Sequence, residues 1–324
     1  MRNFLLVTVI AGLLFIFLRT DLVAQKSTTD SLFIELKKAK ADTSKADILN
    51  ELTLFLRRSY PDSALFYALQ AESVALNIND KRRLSECYKN IGNIYNGKDH
   101  ISFADNYYQK SLQIYKELND TLGVAKIYNN LGALYRNQGN FALTLEYYQK
   151  SLEFRTLLGD RQGMGKTYNN IGNVHQALHN FDLALEYFNK SLEIRKEYND
   201  KMGMAGCYNN IGSIYSDKKD FNLAIKYFQK SIAIFEEFED KLGIGQSYRN
   251  IGSAYDGLKK YSLATEYFTK SLKINEEMGD QIGVSASLID IAKVQNKTEK
   301  FELAKKHAQR ALIIANETGA MIQK

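Results

Sequence analysis

Three groups of residues in this 324-residue chain have the types and spacing that chemistry would need. The first is the run from Gly159 to Thr167, Gly-Asp-Arg-Gln-Gly-Met-Gly-Lys-Thr, which ends in the Gly-Lys-Thr of a phosphate-binding loop. That loop cradles phosphates on backbone N–H groups and needs a glycine five residues before the Gly165 position, where this chain has Asp160. It also needs a preceding strand, and no strand pattern is present. The second group is His175 and His179, whose i, i+4 spacing suits two metal ligands on one helix face. No third ligand is in reach by spacing, whereas a catalytic zinc takes three protein ligands. A hydrogen-bonded core histidine is the simpler expectation for His175. The third is the pair Cys87 and Cys207, the two cysteines of the chain. No Ser-His-Asp set and no catalytic carboxylate pair emerges from spacing, so the reading is of a chain that is not an enzyme and binds no cofactor or metal.

Each of these groups dissolves into a longer pattern with a period of 40 residues. Tyr88, Tyr128, Tyr168, Tyr208 and Tyr248 recur at that step, as do Asn90, Asn130, Asn170, Asn210 and Asn250. So do Gly92, Gly132, Gly172, Gly212 and Gly252, and the aspartates at 80, 120, 160, 200, 240 and 280. Gly163 and Lys166 have counterparts in Gly123 and Lys126, and His175 holds the slot of Tyr135, Tyr215 and Tyr255. Cys87 and Cys207 occupy one repeat position three units apart. With helices packed about 8–10 Å apart, they are expected too far from each other for a disulfide, whose Cα atoms lie within about 7 Å. The 21 Tyr and 17 Phe without one Trp fit a few positions copied many times.

Each unit reads as two helices. In the unit from 160, Asp160 is placed to cap the first helix, and Tyr168, Ile171, Gly172 and His175 fall on one face. After a break at His179-Asn180, the second helix carries Leu183, Ala184, Tyr187, Phe188, Ser191, Leu192 and Ile194, and Gly159 ends the one before. Gly172 and Ala184 leave no bulk where the helices cross. One pair cannot bury this face alone, but stacked neighbours can. Seven units span 41–320, the first and last degenerate because Leu52 and Ala292 replace the glycine. Residues 25–40, with Asp30, Ser31, Leu32, Phe33 and Leu36, suggest a capping helix, and 321–324 a tail.

Tyr88, Ile91, Gly92, Tyr95, Ala104, Tyr108 and Ser111 stand at the signature positions of the tetratricopeptide repeat, which the region 41–320 resembles. Tyr takes the place of the usual Trp, Ser often replaces the last Ala, and Thr144 replaces the mid-repeat Ala once. The 40-residue period is similar to the long repeats of spindle-orientation adaptors and kinesin light chains, and to the extracytoplasmic repeat region of bacterial sensor histidine kinases. The resemblance implies an all-α, right-handed superhelical solenoid of antiparallel helix pairs, with the first helices lining a concave groove that binds protein or peptide.

Within this chain the packing positions barely change between units, but another face of each first helix does. It holds Glu86, Lys89, Asn93 and Asn96 in one unit, then Lys126, Asn129, Ala133 and Arg136, then Lys166, Asn169, Asn173 and Gln176. Gly206, Asn209, Ser213 and Ser216 follow, then Gln246, Arg249, Ser253 and Asp256. These twenty positions carry five positive and two negative charges. Amides offer both donor and acceptor and cations attract carboxylates, so the expected ligand is an extended acidic peptide. The expected groove residues are Lys89, Asn93, Lys126, Asn129, Arg136, Lys166, Asn169, Asn173, Asn209 and Arg249. The Asn90 ladder is more repetitive than a specific site and is expected to bond backbone of the next unit.

The net charge of +6 is spread without a basic run, which argues against nucleic acid, whose binding needs a dense cationic stripe. Met1-Arg2-Asn3, the uncharged stretch Phe4–Leu18 and Leu22-Val23-Ala24 before Gln25 read as a signal peptide over 1–24. Arg19 cuts the apolar run below the roughly 20 residues a membrane span needs, so an uncleaved anchor is the alternative reading. The expected location is periplasmic or secreted. At the other end, Ala311, Leu312, Ile313 and Ile314 suggest an uncapped apolar helix face and hence a homodimer. Two functions remain in view: an interaction scaffold, or a sensory module working with a membrane histidine kinase or cyclase.

Overall fold

The computed structural model describes residues 29–40, 42–57 and 59–319. The export segment expected over 1–24 and the tail 321–324 lie outside the described residues. Among those residues every regular element is helical. Residues 29–38 form α1. Then come α2 (Thr43–Leu56), α3 (Pro61–Asn77), α4 (Lys81–Gly97), α5 (Ile101–Glu117), α6 (Thr121–Asn137) and α7 (Phe141–Leu158). They are followed by α8 (Arg161–Ala177), α9 (Phe181–Glu197), α10 (Lys201–Asp217), α11 (Phe221–Glu237), α12 (Lys241–Gly257), α13 (Tyr261–Met278), α14 (Gln281–Lys297) and α15 (Phe301–Thr318). The chain divides into two compact units, Met1–Leu158 and Gly159–Lys324. Within each, an even-numbered A helix packs on the following odd-numbered B helix, and that B helix packs on the next A helix. Each unit is thus an all-α solenoid segment of antiparallel helix pairs.

Local chemistry starts and stops these helices. The aspartate carboxylates accept from the backbone N–H three residues on: Asp80 from Arg83 at 3.0 Å, Asp120 from Gly123 at 2.8 Å, Asp160 from Gly163 at 2.9 Å and Asp200 from Gly203 at 2.9 Å. Each such cap is worth about 1 kcal/mol. The stops fall every twenty residues. From Asn79 to Gly319 a left-handed residue closes each helix, with φ between 51° and 71°. The turn after an A helix therefore matches the turn after a B helix, and the 40-residue repeat has a 20-residue half-beat.

The glycine row brings the two helices of a pair together. A Cβ built on Gly92, Gly132, Gly172, Gly212 or Gly252 would lie 2.5–2.7 Å from the ring of Tyr108, Tyr148, Phe188, Phe228 or Phe268. All five rings are buried. The close approach also explains the serine row. Ser111, Ser151, Ser191 and Ser231 each donate at 2.8 Å to a buried carbonyl of the facing A helix: Ser85, Ala125, Gly165 and Ala205 respectively. An alanine there would leave that carbonyl without its second partner.

The ends differ from expectation in one respect. Ala311 and Ile314 are buried on α14 with Leu288, Ile291 and Val294, so half of the apolar run at the last repeat is already covered. Leu312 and Ile313 stay 57% exposed. At the other end α1 buries Leu32, Leu36 packs on Ala46, Leu49 and Ala71, and Phe33 meets Tyr67 at 5.8 Å.

Gly212→Ala is expected to destabilise its unit by about 1–3 kcal/mol, because the methyl group must displace the buried Phe228 ring. Chemical denaturation followed by circular dichroism measures this, and a midpoint equal to wild type would contradict the packing described.

Candidate functional site

The phosphate-loop-like run is helix. α8 begins at Arg161, Gly163 donates to its own cap Asp160, and the Thr167 hydroxyl donates to the Gly163 carbonyl at 3.2 Å. No loop is there to cradle phosphate. Gly165 instead gives room to Ile194, which a Cβ would approach to 3.1 Å. His175 is half-buried and lies flat on Tyr187, ring centroids 5.5 Å apart and 8° from parallel. Its Nδ1 is buried without a partner, unlike the hydrogen-bonded histidine expected, and burial holds its pKa below the usual range. Cys87 and Cys207 are free and buried, and burial pushes the Cys87 thiol up to about 12. Among the described residues no group of three His, Cys, Asp or Glu is placed to hold a metal.

The polar face of the A helices is where the units vary. The asparagine ladder runs backwards and through side chains, which corrects the expectation of bonds to backbone of the next unit. In the first unit Asn90 donates to Asn50 Oδ1 at 3.2 Å and Asn130 to Asn93 Oδ1 at 3.0 Å. In the second, Asn210 donates to Asn169 at 2.9 Å and Asn250 to Asn209 at 3.0 Å. Each rung ties an A helix to the one before it. Asn93, Asn169 and Asn209, expected in the groove, therefore spend an amide oxygen on the frame. Asn93 also accepts from the buried Tyr108 hydroxyl at 2.8 Å. Asn129 and Asn173 are half-buried on the same face.

The cations sort into spent and available. Lys89 is paired with Glu86. Burial pushes the Glu86 carboxyl up, but Lys89, the Tyr115 hydroxyl and the nearby Lys126 together hold it below the usual value. Arg249 grips Asp290 at 2.6 Å, and Asp256 is matched by Lys297 at 2.6 Å. Lys126 and Arg136 on α6, and Lys166 on α8, are in no ion pair among the described residues. In the first unit the positive character of the face thus reduces to α6. In the second unit Arg249 is consumed internally and Lys166 is left.

One further row recurs at the same period. Lys110, Lys150, Lys190, Lys230 and Lys270 each sit over two tyrosines, as Lys110 does at 4.8 Å from Tyr107 and 5.5 Å from Tyr88. A cation over these rings, all but Tyr128 half-exposed, contributes about 0.5–1 kcal/mol and ties a B helix to its A helix. The 40-residue recurrence of Lys with Tyr three residues before it was the signal.

These features define a class: all-helical pairs, five of them with a Gly–ring contact, and a variable polar face on the A helices. The Tetratricopeptide repeat family model matches residues 123–197 and 204–277, so these stretches are tetratricopeptide repeats. Comparison with curated proteins found no match. Among solved structures, BtubC (BKLC) from P. vanneervenii is similar at a TM-score of 0.60 and 20% identity, over 68% of this chain and 93% of that one. A Rap protein complexed with competence and sporulation factor is similar at 0.65 and 17%, over 90% and 80%. A signal transduction ATPase with numerous domains, carrying a tetratricopeptide repeat sensor and from Pyrococcus horikoshii, is similar at 0.69 and 18%, over 85% and 43%.

The Tyr108 hydroxyl has Asn93, but Tyr148, its counterpart one repeat on, faces Ala133 at the equivalent position and is buried without a partner. Tyr148→Phe is therefore expected to raise stability by about 1 kcal/mol and Tyr108→Phe to lower it by about as much. Parallel urea titrations of the two variants check the opposite signs, and a loss in both would contradict the assignment.

Proposed function

We propose that this protein is a non-catalytic interaction scaffold that binds an extended, acidic protein segment along its A-helix face. The observation that carries the reading is the contrast on that face: a fixed amide ladder beside two cations, Lys126 and Arg136, neither of which is in an ion pair among the described residues. Both lie on one helix ten residues apart, about 15 Å at 1.5 Å per residue, so an extended segment of four or five residues spans them. Side chains on this face still free to hydrogen-bond would meet its backbone. The solved Rap structure is of a complex with a factor, which supports a ligand-binding reading for this architecture. The N-terminal stretch supports export, with the scaffold working in the periplasm or outside the cell.

A sensory role is the second reading. It is favoured by the likeness to a protein whose repeats are described as a sensor, and it would couple the array to a membrane histidine kinase or cyclase.

Capture from the exporting cell tests the first reading. Lys126→Glu with Arg136→Glu is expected to weaken retention of the partner at least about tenfold, as loss of a charge-paired anchor does. Lys89→Gln, whose charge is already spent on Glu86, should change it little. Equal capture by wild type and the double variant would remove the face from the binding site.

A further inference from the structure

The last repeat departs from its sisters at three positions that face one another. Five repeats set a glycine on the A helix against a buried Tyr or Phe ring on the B helix. The first repeat exchanges the sizes: Leu52 replaces the glycine and Ala68 the ring, and both are fully buried. Bulk moves from one helix to the other and the space stays filled, as interior packing requires. The last repeat has small residues on both sides, Ala292 on α14 and Ala308 on α15. Nothing in the pair restores the missing ring.

The result is a cleft of about 440 Å³ with Ile289, Ala292, Phe301, Ala304 and Ala308 in its walls, beside the exposed Lys293 and Lys305. That size lies in the range of ligand pockets, about 300–1,000 Å³. Ile289 is the second departure, for its counterparts in the five central repeats are Lys89, Asn129, Asn169, Asn209 and Arg249. Phe301 is the third: it is 59% exposed, whereas Phe141, Phe181, Phe221 and Tyr261 at the same position are half-buried. Apolar surface has been placed where the sister repeats are polar or covered.

We propose that this cleft receives an aromatic side chain from a partner segment, with acidic residues beside that side chain meeting Lys293 and Lys305. The sister repeats display the occupant five times, as a Phe or Tyr ring lying on the smallest residue of the A helix. The charges fix its flanks. Lys293 shares Asp290 with Arg249, at 3.4 Å and 2.6 Å, so two cations face one carboxylate. Lys305 is in no ion pair among the described residues. The site is built wholly from α14 and α15 and stands whether or not Lys126 and Arg136 bind a ligand.

Saturation-transfer NMR on the full chain with a capped Glu-Phe-Glu peptide tests it. Transfer to the ring protons is expected with an affinity on the order of 1 mM, which a single-anchor ligand allows, while capped Glu-Ala-Glu shows none. Ala292→Gly with Ala308→Phe installs the sisters' own pair, fills the cleft and is expected to weaken the peptide at least about tenfold. Lys305→Glu keeps the cleft and is expected to shift preference from Glu-Phe-Glu to Lys-Phe-Lys, an arm that survives if the double variant misfolds. Absence of transfer to wild type, undiminished binding by a folded double variant, or a wild-type dimer that the double variant abolishes would each overturn the proposal. The last would make a second copy the occupant.

Discussion

A phenyl or phenol ring resting on a hydrogen atom of glycine sets the distance between the two helices of each central repeat. With a Cβ on the A helix the ring has no place, and the B helix must retreat. The Ser111-type hydroxyls reach the carbonyls opposite because the helices are this close, and the Lys–Tyr stacks form because the same approach brings the A-helix tyrosines beside the B helix. Each hairpin is thus assembled around one contact, and its polar bonds are satisfied as a consequence. The contact is local to a pair. It can be repeated without cumulative strain, and it can be altered at an end without disturbing the next pair, as Leu52 with Ala68 and Ala292 with Ala308 illustrate.

Polar groups are divided between frame and face by the same geometry. The ladder amides join successive A helices, and an amide that gives its oxygen to the frame keeps its N–H₂ for other use. Charges follow a similar division. Where a carboxylate falls one turn away, as Glu86 does from Lys89, or on the next A helix, as Asp290 does from Arg249, the cation is held within the array. Where the neighbouring positions are alanine or amide, as around Arg136, the charge stays outward. The character of the face is decided by differences between adjacent repeats more than by overall composition.

The repeat, the helix pairs, the aspartate caps and the small glycine at the helix crossing were legible in the sequence because each depends on residues at fixed spacing within one period. The reduction of His175, Lys166 and the Gly159–Thr167 run to repeat positions was legible for the same reason. The direction of the Asn90 ladder was not, because spacing places an amide on a face without saying whether the preceding or following helix meets it. The neutralisation of Arg249 needed the 41-residue step to Asp290, one residue off the period and invisible to a search in register. Burial of Ala311 and Ile314 could not be read from a four-residue apolar run, since a helix turns two of four residues inward. The cleft at Ala308 is a difference of volumes between facing helices, and a volume belongs to neither residue alone.

The left-handed closing residues carry a consequence of another kind. Nine of the thirteen among the described residues are not glycine, and Lys219, Glu239, Lys259 and Glu299 have no side-chain amide or short carboxylate to ease that backbone conformation. Left-handed geometry costs a residue with a Cβ about 1 kcal/mol, so the array holds a reserve of unrealised stability at its corners. The corners that follow B helices, such as Glu239, close on B-helix carbonyls and not on the A-helix face. Mutational drift can spend or recover stability there while recognition stays untouched, so robustness and specificity in this chain are free to evolve on separate residues.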